Sequence, residues 1–167
     1  MKFDPTFDYG HSDLTNKENL TCWKYGEFIK ALITLSLSAD RQFEIMGAGI
    51  VTEDMSEEFD TYYRLEYKQF YDNNLLNDIA IDKLNQLDNF LDQRSGDKDP
   101  DFWDDHTLAT NKDWEIVRLQ SKEILTLIGM DNLEIEFDRA EKNETTPEGQ
   151  KLLIQSIKTR LKKKNGS

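Results

Sequence analysis

Glu53, Asp54, Glu57, Glu58 and Asp60 place five carboxylates within eight positions, separated by three residues from Gly47-Ala48-Gly49. On a helix, Glu53/Glu57 and Asp54/Glu58 are i, i+4 pairs, and the members of each pair share a face. Such residues suit a hard divalent cation such as Mg²⁺ or Mn²⁺, which takes oxygen ligands. They also suit an acidic surface that attracts a basic protein, and the preceding glycines raise the question of a phosphate cradle. A second acidic group, "DPDFWDDH", adds Asp101, Asp104, Asp105 and His106 to the candidate ligands.

Each chemistry makes further demands. A dinucleotide fingerprint needs a third glycine and a phosphate loop needs its lysine, and the chain has neither here. Amides leading into five carboxylates would repel phosphate. A di-metal helical bundle needs Glu-x-x-His pairs, and none occurs. An EF-hand loop alternates acids about a glycine, whereas "DKDPDFWDD" has none. His11 and His106 fall in loop-like stretches, and no Gly-x-Ser-x-Gly elbow is present. Cys22 lies beside Trp23 on an apolar helix and reads as a buried, inert thiol. The sequence therefore offers no catalytic residue, no metal site and no cofactor site.

The charge distribution points elsewhere. The 167 residues carry a net charge of -12, and 32% of them are charged. Residues 151–167 hold Lys151, Lys158, Arg160, Lys162, Lys163 and Lys164 and no acid, which leaves the rest with 15 bases against 33 acids, or -18. Such a body repels nucleic acid and anionic membrane and attracts basic proteins. A lone cysteine permits no internal disulfide, and the N-terminus has no apolar secretion core. These features predict a cytoplasmic protein with no nucleic-acid or membrane partner.

Elements must position the acids. The periodicity predicts a mainly helical, single-domain, bundle-like fold over 1–167, with at most a short strand near 133–137. Residues 1–16 read as an N-terminal arm, and a helix follows from about Asn16 to Ser38, capped by Thr15 or Asn16. Gly26 inside it suggests a close packing contact. Ala39–Met46 reads as a second helix ended by Gly47. Thr52 reads as the N-cap of a third, which carries Met55, Phe59, Tyr62, Tyr63, Tyr67, Phe70 and Tyr71. Leu76 to Leu91 and Lys112 to Ile128 continue the pattern around the long loop 93–107, and 147–164 reads as a basic C-terminal helix with Pro147 at its start.

Aromatics adjoin both acidic groups: Phe59 and Tyr62 at the first, Phe102 and Trp103 at the second. Aromatic anchors in an acidic field make a plausible protein-binding surface. The partner-binding residues so assigned are Glu53, Asp54, Glu57, Glu58, Asp60, Tyr62, Asp101, Trp103, Asp104 and Asp105. A metal-dependent enzyme using the clustered carboxylates and a non-catalytic adaptor module stay open as alternatives.

"GAGIVTEDMSEEFDTYY", "LDNFLDQRSG", "DFWDD", "DWEIVR" and "ILTLIG" resemble a group of small bacterial immunity proteins from polymorphic-toxin and contact-dependent-inhibition loci. The resemblance spans about residues 40–130, and its motifs are structural rather than catalytic. It implies a protein without an active site that binds and neutralises a cognate toxin. Its carboxylates would stand in for substrate phosphates and pair with toxin lysine and arginine.

Overall fold

The computed structural model describes residues 1–166, and its architecture follows from one strongly apolar helix. That helix, α1 (Lys17–Ser36), buries Tyr25, Phe28, Ile29, Leu32, Ile33 and Leu35, which point to more than one side. A helix apolar over so much of its circumference must be surrounded. Asn16 starts it by accepting the Asn19 amide at 3.1 Å. Around it run α2 (Ala39–Met46), α3 (Val51–Arg64), α4 (Tyr67–Asp72), α5 (Asp78–Asp92), α6 (Pro100–Trp103) and α7 (Lys112–Leu127). The fold is mainly helical, as the periodicity requires.

α3 and α7 flank α1, and α5 packs on α7. On α3, Val51, Met55, Phe59 and Tyr63 recur every four residues and are all buried. Ala80, Leu84, Leu87 and Leu91 of α5 and Trp114, Val117, Ser121 and Ile124 of α7 close the core from the other side. The N-terminal arm is ordered: the Phe3 ring meets Tyr25 edge-on, with centroids 4.9 Å apart.

Some boundaries differ from the sequence reading. Thr52 is not an N-cap; α3 begins at Val51, Ile50 holds the cap position, and the Thr52 hydroxyl donates to the Trp103 carbonyl at 2.7 Å. The helix expected through Tyr71 breaks between Arg64 and Tyr67. The break turns Phe70 back onto α1, where it meets Tyr25 at 5.2 Å and Phe28 at 5.5 Å. The aromatic stripe thus divides into interior Phe59, Tyr63 and Phe70, half-buried Tyr62 and Tyr67, and exposed Tyr71. At Gly26 the contact is with Phe3 but is not tight, because an added Cβ would lie 3.8 Å from that ring.

The largest correction concerns the C-terminus. Residues 147–164 do not form a helix: β1 (Leu133–Thr145) and β2 (Lys151–Lys163) form an antiparallel hairpin, with Pro147 in its turn. The strand expected at 133–137 is present and continues well past Phe137, to Thr145. The miss has a physical origin. Leu153, Ile157 and Leu161 are four apart, a spacing that shares one face of a helix and equally one face of a strand. The partner decides, because β1 offers backbone hydrogen bonds and cross-strand charges to β2. Arg160 lies 3.2 Å from Asp138 and also pairs with Glu136, while Lys162 pairs with Glu134 at 3.2 Å. The basic tail therefore pairs its charges with the acids of β1. It also touches the helical body, where the Thr159 carbonyl accepts the Lys30 ammonium at 3.0 Å and the Gln155 side-chain oxygen accepts the Ala48 amide at 2.7 Å. Only the base of the hairpin joins the core, through Leu133, Ile135 and Leu161.

Three outcomes follow for stability, all measurable by urea denaturation. Leu161→Ala, at a site 8% exposed, should cost about 2–3 kcal/mol. Leu153→Ala, 53% exposed on the outer hairpin, should change stability by no more than about 0.5 kcal/mol. Gly26→Ala should add about 1 kcal/mol, since helix propensity favours alanine by that amount and the space beside Phe3 admits a methyl.

Candidate functional site

A cleft of about 480 Å³ opens between α3 and α5, below the loop that joins α5 to α6. Its α3 wall carries Glu53, Ser56, Glu57, Asp60 and Arg64, which share one face through i, i+4 and i+3 steps. Asp88 and Asp92 rise from α5, Asp97 comes from the loop, and Phe59, Leu91 and Trp103 supply apolar lining. The same helices that bury Phe59 and Leu91 inward therefore present their acids to the cleft.

Arg64 is the one cation among these lining residues. Its guanidinium reaches Asp60 at 3.0 Å, Asp88 at 3.1 Å and Asp92 at 3.8 Å. The hydrogen bond to Asp88 and the field of the three carboxylates push the arginine above even its ordinary high pKa. Glu53, Glu57 and Asp97 have no ion-pair partner among the described residues and face solvent. The cleft is thus a negative rim over an apolar floor, with its internal cation already committed.

The residues assigned from sequence separate into three groups. Glu53, Glu57, Asp60 and Trp103 line the cleft. Asp54, Glu58 and Tyr62 lie outside it, toward α1. There Tyr62 meets Trp23 edge-on at 6.3 Å, and crowding by surrounding protein, then Glu27 and Asp54, pushes the Glu58 carboxyl up.

Asp101, Asp104 and Asp105 serve or adjoin local structure instead. The Asp105 carboxylate accepts the amides of Val51 and Thr52, each at 3.0 Å, and so caps the N-terminus of α3 from across the fold. Asp104 accepts the His106 amide at 2.9 Å and contacts the His106 ring at 3.0 Å; these bonds hold its carboxyl below the usual range. Asp101 is exposed, and it is its carbonyl that takes the Thr107 hydroxyl. Asp99 caps α6 through the Phe102 amide at 3.3 Å. A dense acidic loop has thus become a row of helix caps.

Trp103 is half-buried. Its indole N–H donates to the Arg94 carbonyl, and its ring packs edge-on against Phe102 at 4.7 Å and Trp114 at 6.2 Å. The remaining face meets the cleft. Arg64, Asp88 and Asp92 were not singled out from sequence, although Asp88/Asp92 repeats the i, i+4 spacing of Glu53/Glu57 and Arg64 stands four residues after Asp60. The signal was present; the pairing of α3 with α5 was not.

Among the described residues, no three histidine, cysteine, aspartate or glutamate side chains converge closely enough to hold an ion. No helix among them is long and apolar enough to cross a membrane.

The capping geometry makes a direct comparison possible. Asp105→Ala leaves two α3 amides without their acceptor, and loss of such a cap should cost about 1–2 kcal/mol by chemical denaturation. Asp101→Ala, at an exposed carboxylate, should stay within about 0.5 kcal/mol of wild type.

The chain matches no protein-family model, and no curated protein or solved structure is similar to it.

Proposed function

We propose that this protein is a non-catalytic inhibitor, an immunity protein that binds a basic surface of a cognate bacterial toxin through the α3–α5 cleft. The observation that carries this reading is the cleft rim: Glu53, Glu57 and Asp97 lack internal partners while Phe59, Leu91 and Trp103 line the space beneath. Carboxylates that the fold does not neutralise are available to lysine or arginine of another molecule, and an apolar floor adds contact area that water does not compete for. Arg64 keeps Asp60, Asp88 and Asp92 from adding their full charge at the centre. Attraction is therefore concentrated on the outer rim, where it acts on approach.

The sequence-level acidity serves the same end. A negative body raises the encounter rate with a positive partner, and salt diminishes that gain as the Debye length falls to about 8 Å at 0.15 M. A toxin that acts on a phosphate-bearing substrate holds cations in its own site, and rim carboxylates engage those cations in place of phosphate. Such a protein works in the cytoplasm and needs no cofactor.

The test co-expresses this chain with the product of the neighbouring gene, after asking whether that product alone arrests growth. Wild-type chain should restore growth when the two are expressed together, and the triple variant Glu53→Lys, Glu57→Lys, Asp97→Lys should not. In stopped-flow measurements the variant should associate at least about tenfold more slowly at low salt, with the difference narrowing as salt is added. Its fold should survive, because all three side chains are exposed and surface substitutions of this kind cost about 0.5 kcal/mol or less. Of the three, only Glu53 lies in the first turn of α3, where an acid is worth about 0.3–1 kcal/mol. Equal association rates for wild type and variant would remove the cleft from the interface.

A further inference from the structure

The outer hairpin carries an unguarded strand edge. Hydrogen bonds at both ends set the phase of the β1–β2 ladder: the Thr146 amide donates to the Gln150 carbonyl at 2.7 Å, and the Lys164 amide to the Asn132 carbonyl at 2.8 Å. Pairing in an antiparallel ladder alternates, so Leu153, Gln155, Ile157 and Thr159 turn their N–H and C=O away from β1. Thr159 agrees with this phase, since its carbonyl accepts the Lys30 ammonium of α1 at 3.0 Å. Beyond Thr159 toward the turn, the outward backbone groups of Leu153, Gln155 and Ile157 have no backbone partner among the described residues.

Side chains mark this edge as different from its neighbour. Along β1, Glu141, Lys142 and Glu144 protect the outer stretch in the way natural edge strands are protected. Along β2, residues 152–157 read Leu-Leu-Ile-Gln-Ser-Ile without a charge, in a chain that is 32% charged. Leu152, Leu153 and Ile154 are 48%, 53% and 47% exposed, and they cover both faces of the strand. Lys151 and Lys158 bracket the run, are themselves exposed, and enter no salt bridge among the described residues. Arg160 and Lys162, by contrast, are satisfied by β1.

We infer that the outer edge of β2 is a docking site for an extended segment of a partner protein, which adds a third strand to the hairpin. The chemistry defines that segment: apolar residues on both faces, with a carboxylate at each end to meet Lys151 and Lys158. Self-pairing of two β2 edges in this phase is centred on Gln155 and sets Lys151 opposite Thr159 and Lys158 opposite Leu152 of the other copy. A second copy, with no acid in residues 151–159, brings neither lysine a counter-charge, so the charges favour a different partner. Main-chain bonds supply the attraction and the bracketing lysines the selectivity. This site is separate from the cleft and does not depend on it.

The probe is an end-capped octapeptide, Asp-Val-Val-Thr-Thr-Val-Val-Glu, which carries valine on both faces, beside a control with lysine at both ends. On the full chain, amide hydrogen exchange read by NMR should slow at Leu153, Gln155 and Ile157 when the acid-ended peptide is added. The amides of Leu152, Ile154 and Ser156, already bonded to β1, should not respond. Leu153→Pro removes one outward donor and no ladder bond, and should abolish that protection. Because proline could also disturb the hairpin, Lys151→Glu with Lys158→Glu provides a second arm. It should weaken the acid-ended peptide about tenfold, the worth of two exposed ion pairs, and make the lysine-ended peptide the better ligand. Absence of protection at millimolar peptide, or equal binding of the two peptides to wild type, would overturn the inference. So would protection of the same amides that grows with protein concentration alone, which would assign the edge to a second copy.

Discussion

The arrangement rests on one buried cation. The Arg118 guanidinium, on α7, donates to the Leu37 carbonyl at 3.0 Å, the Leu108 carbonyl at 2.8 Å and the Gln42 side-chain oxygen at 3.1 Å. Gln42, itself fully buried on α2, returns its amide to the Thr34 and Leu35 carbonyls at the end of α1. Four segments thus meet on two side chains: the end of α1, α2, α7 and the loop that precedes α7. Burial draws the arginine below its usual pKa, and Glu115, 3.5 Å away, opposes that change from the surface. A planar group with fixed donors suits three acceptors in different directions, and a lysine ammonium does not present the same fork. Taking either partner away would leave buried polar groups without hydrogen bonds, the costly case.

From that knot the cleft follows. Arg118 fixes Leu108, and the segment before it carries Asp105 to the N-terminus of α3. The same segment brings the Trp103 carbonyl to the Thr52 hydroxyl and the Trp103 ring to the mouth of the cleft. α3 is therefore held at its start by a loop whose position is set by a residue of α7. Tyr63 anchors the other end of α3 on α5 through its hydroxyl, 2.6 Å from Asn85. The carboxylates of the two helices face one another because these contacts hold the helices at that separation, and Arg64 offsets the repulsion between them.

Charge is handled differently in the two parts of the molecule. In the hairpin, acids of β1 and bases of β2 neutralise each other across the strands near its base. In the helical body, acids exceed bases, and many are used as caps or held by Arg64. Among the acids that enter no ion pair, Glu53, Glu57 and Asp97 are set apart by place, where two helices and a loop converge. Net charge alone described the field around the protein; it did not locate the carboxylates that the fold leaves available.

The sequence by itself determined the local elements. Apolar periodicity defined α1, α2, α5 and α7 closely, Asn16, one of the two caps expected, starts α1, and Gly47, with a φ of 69°, marked the stop of α2. These are interactions within a turn or two of chain, and residue type encodes them directly. Four of the ten site residues read from sequence, Glu53, Glu57, Asp60 and Trp103, do line one cleft, because a helical face is a local property. What required the tertiary structure was every assignment that depends on a distant partner. Asp105 and Asp101 look alike in a loop, yet only Asp105 lies where α3 presents open amides. Asp88 and Asp92 became part of the site only when α5 met α3. Leu153, Ile157 and Leu161 fit a helix or a strand equally, and β1 settled the choice by offering a ladder along its length and opposite charge near its base. Short-range order is written in neighbouring residues, whereas hydrogen-bond acceptors, counter-ions and strand partners are supplied from elsewhere in the chain.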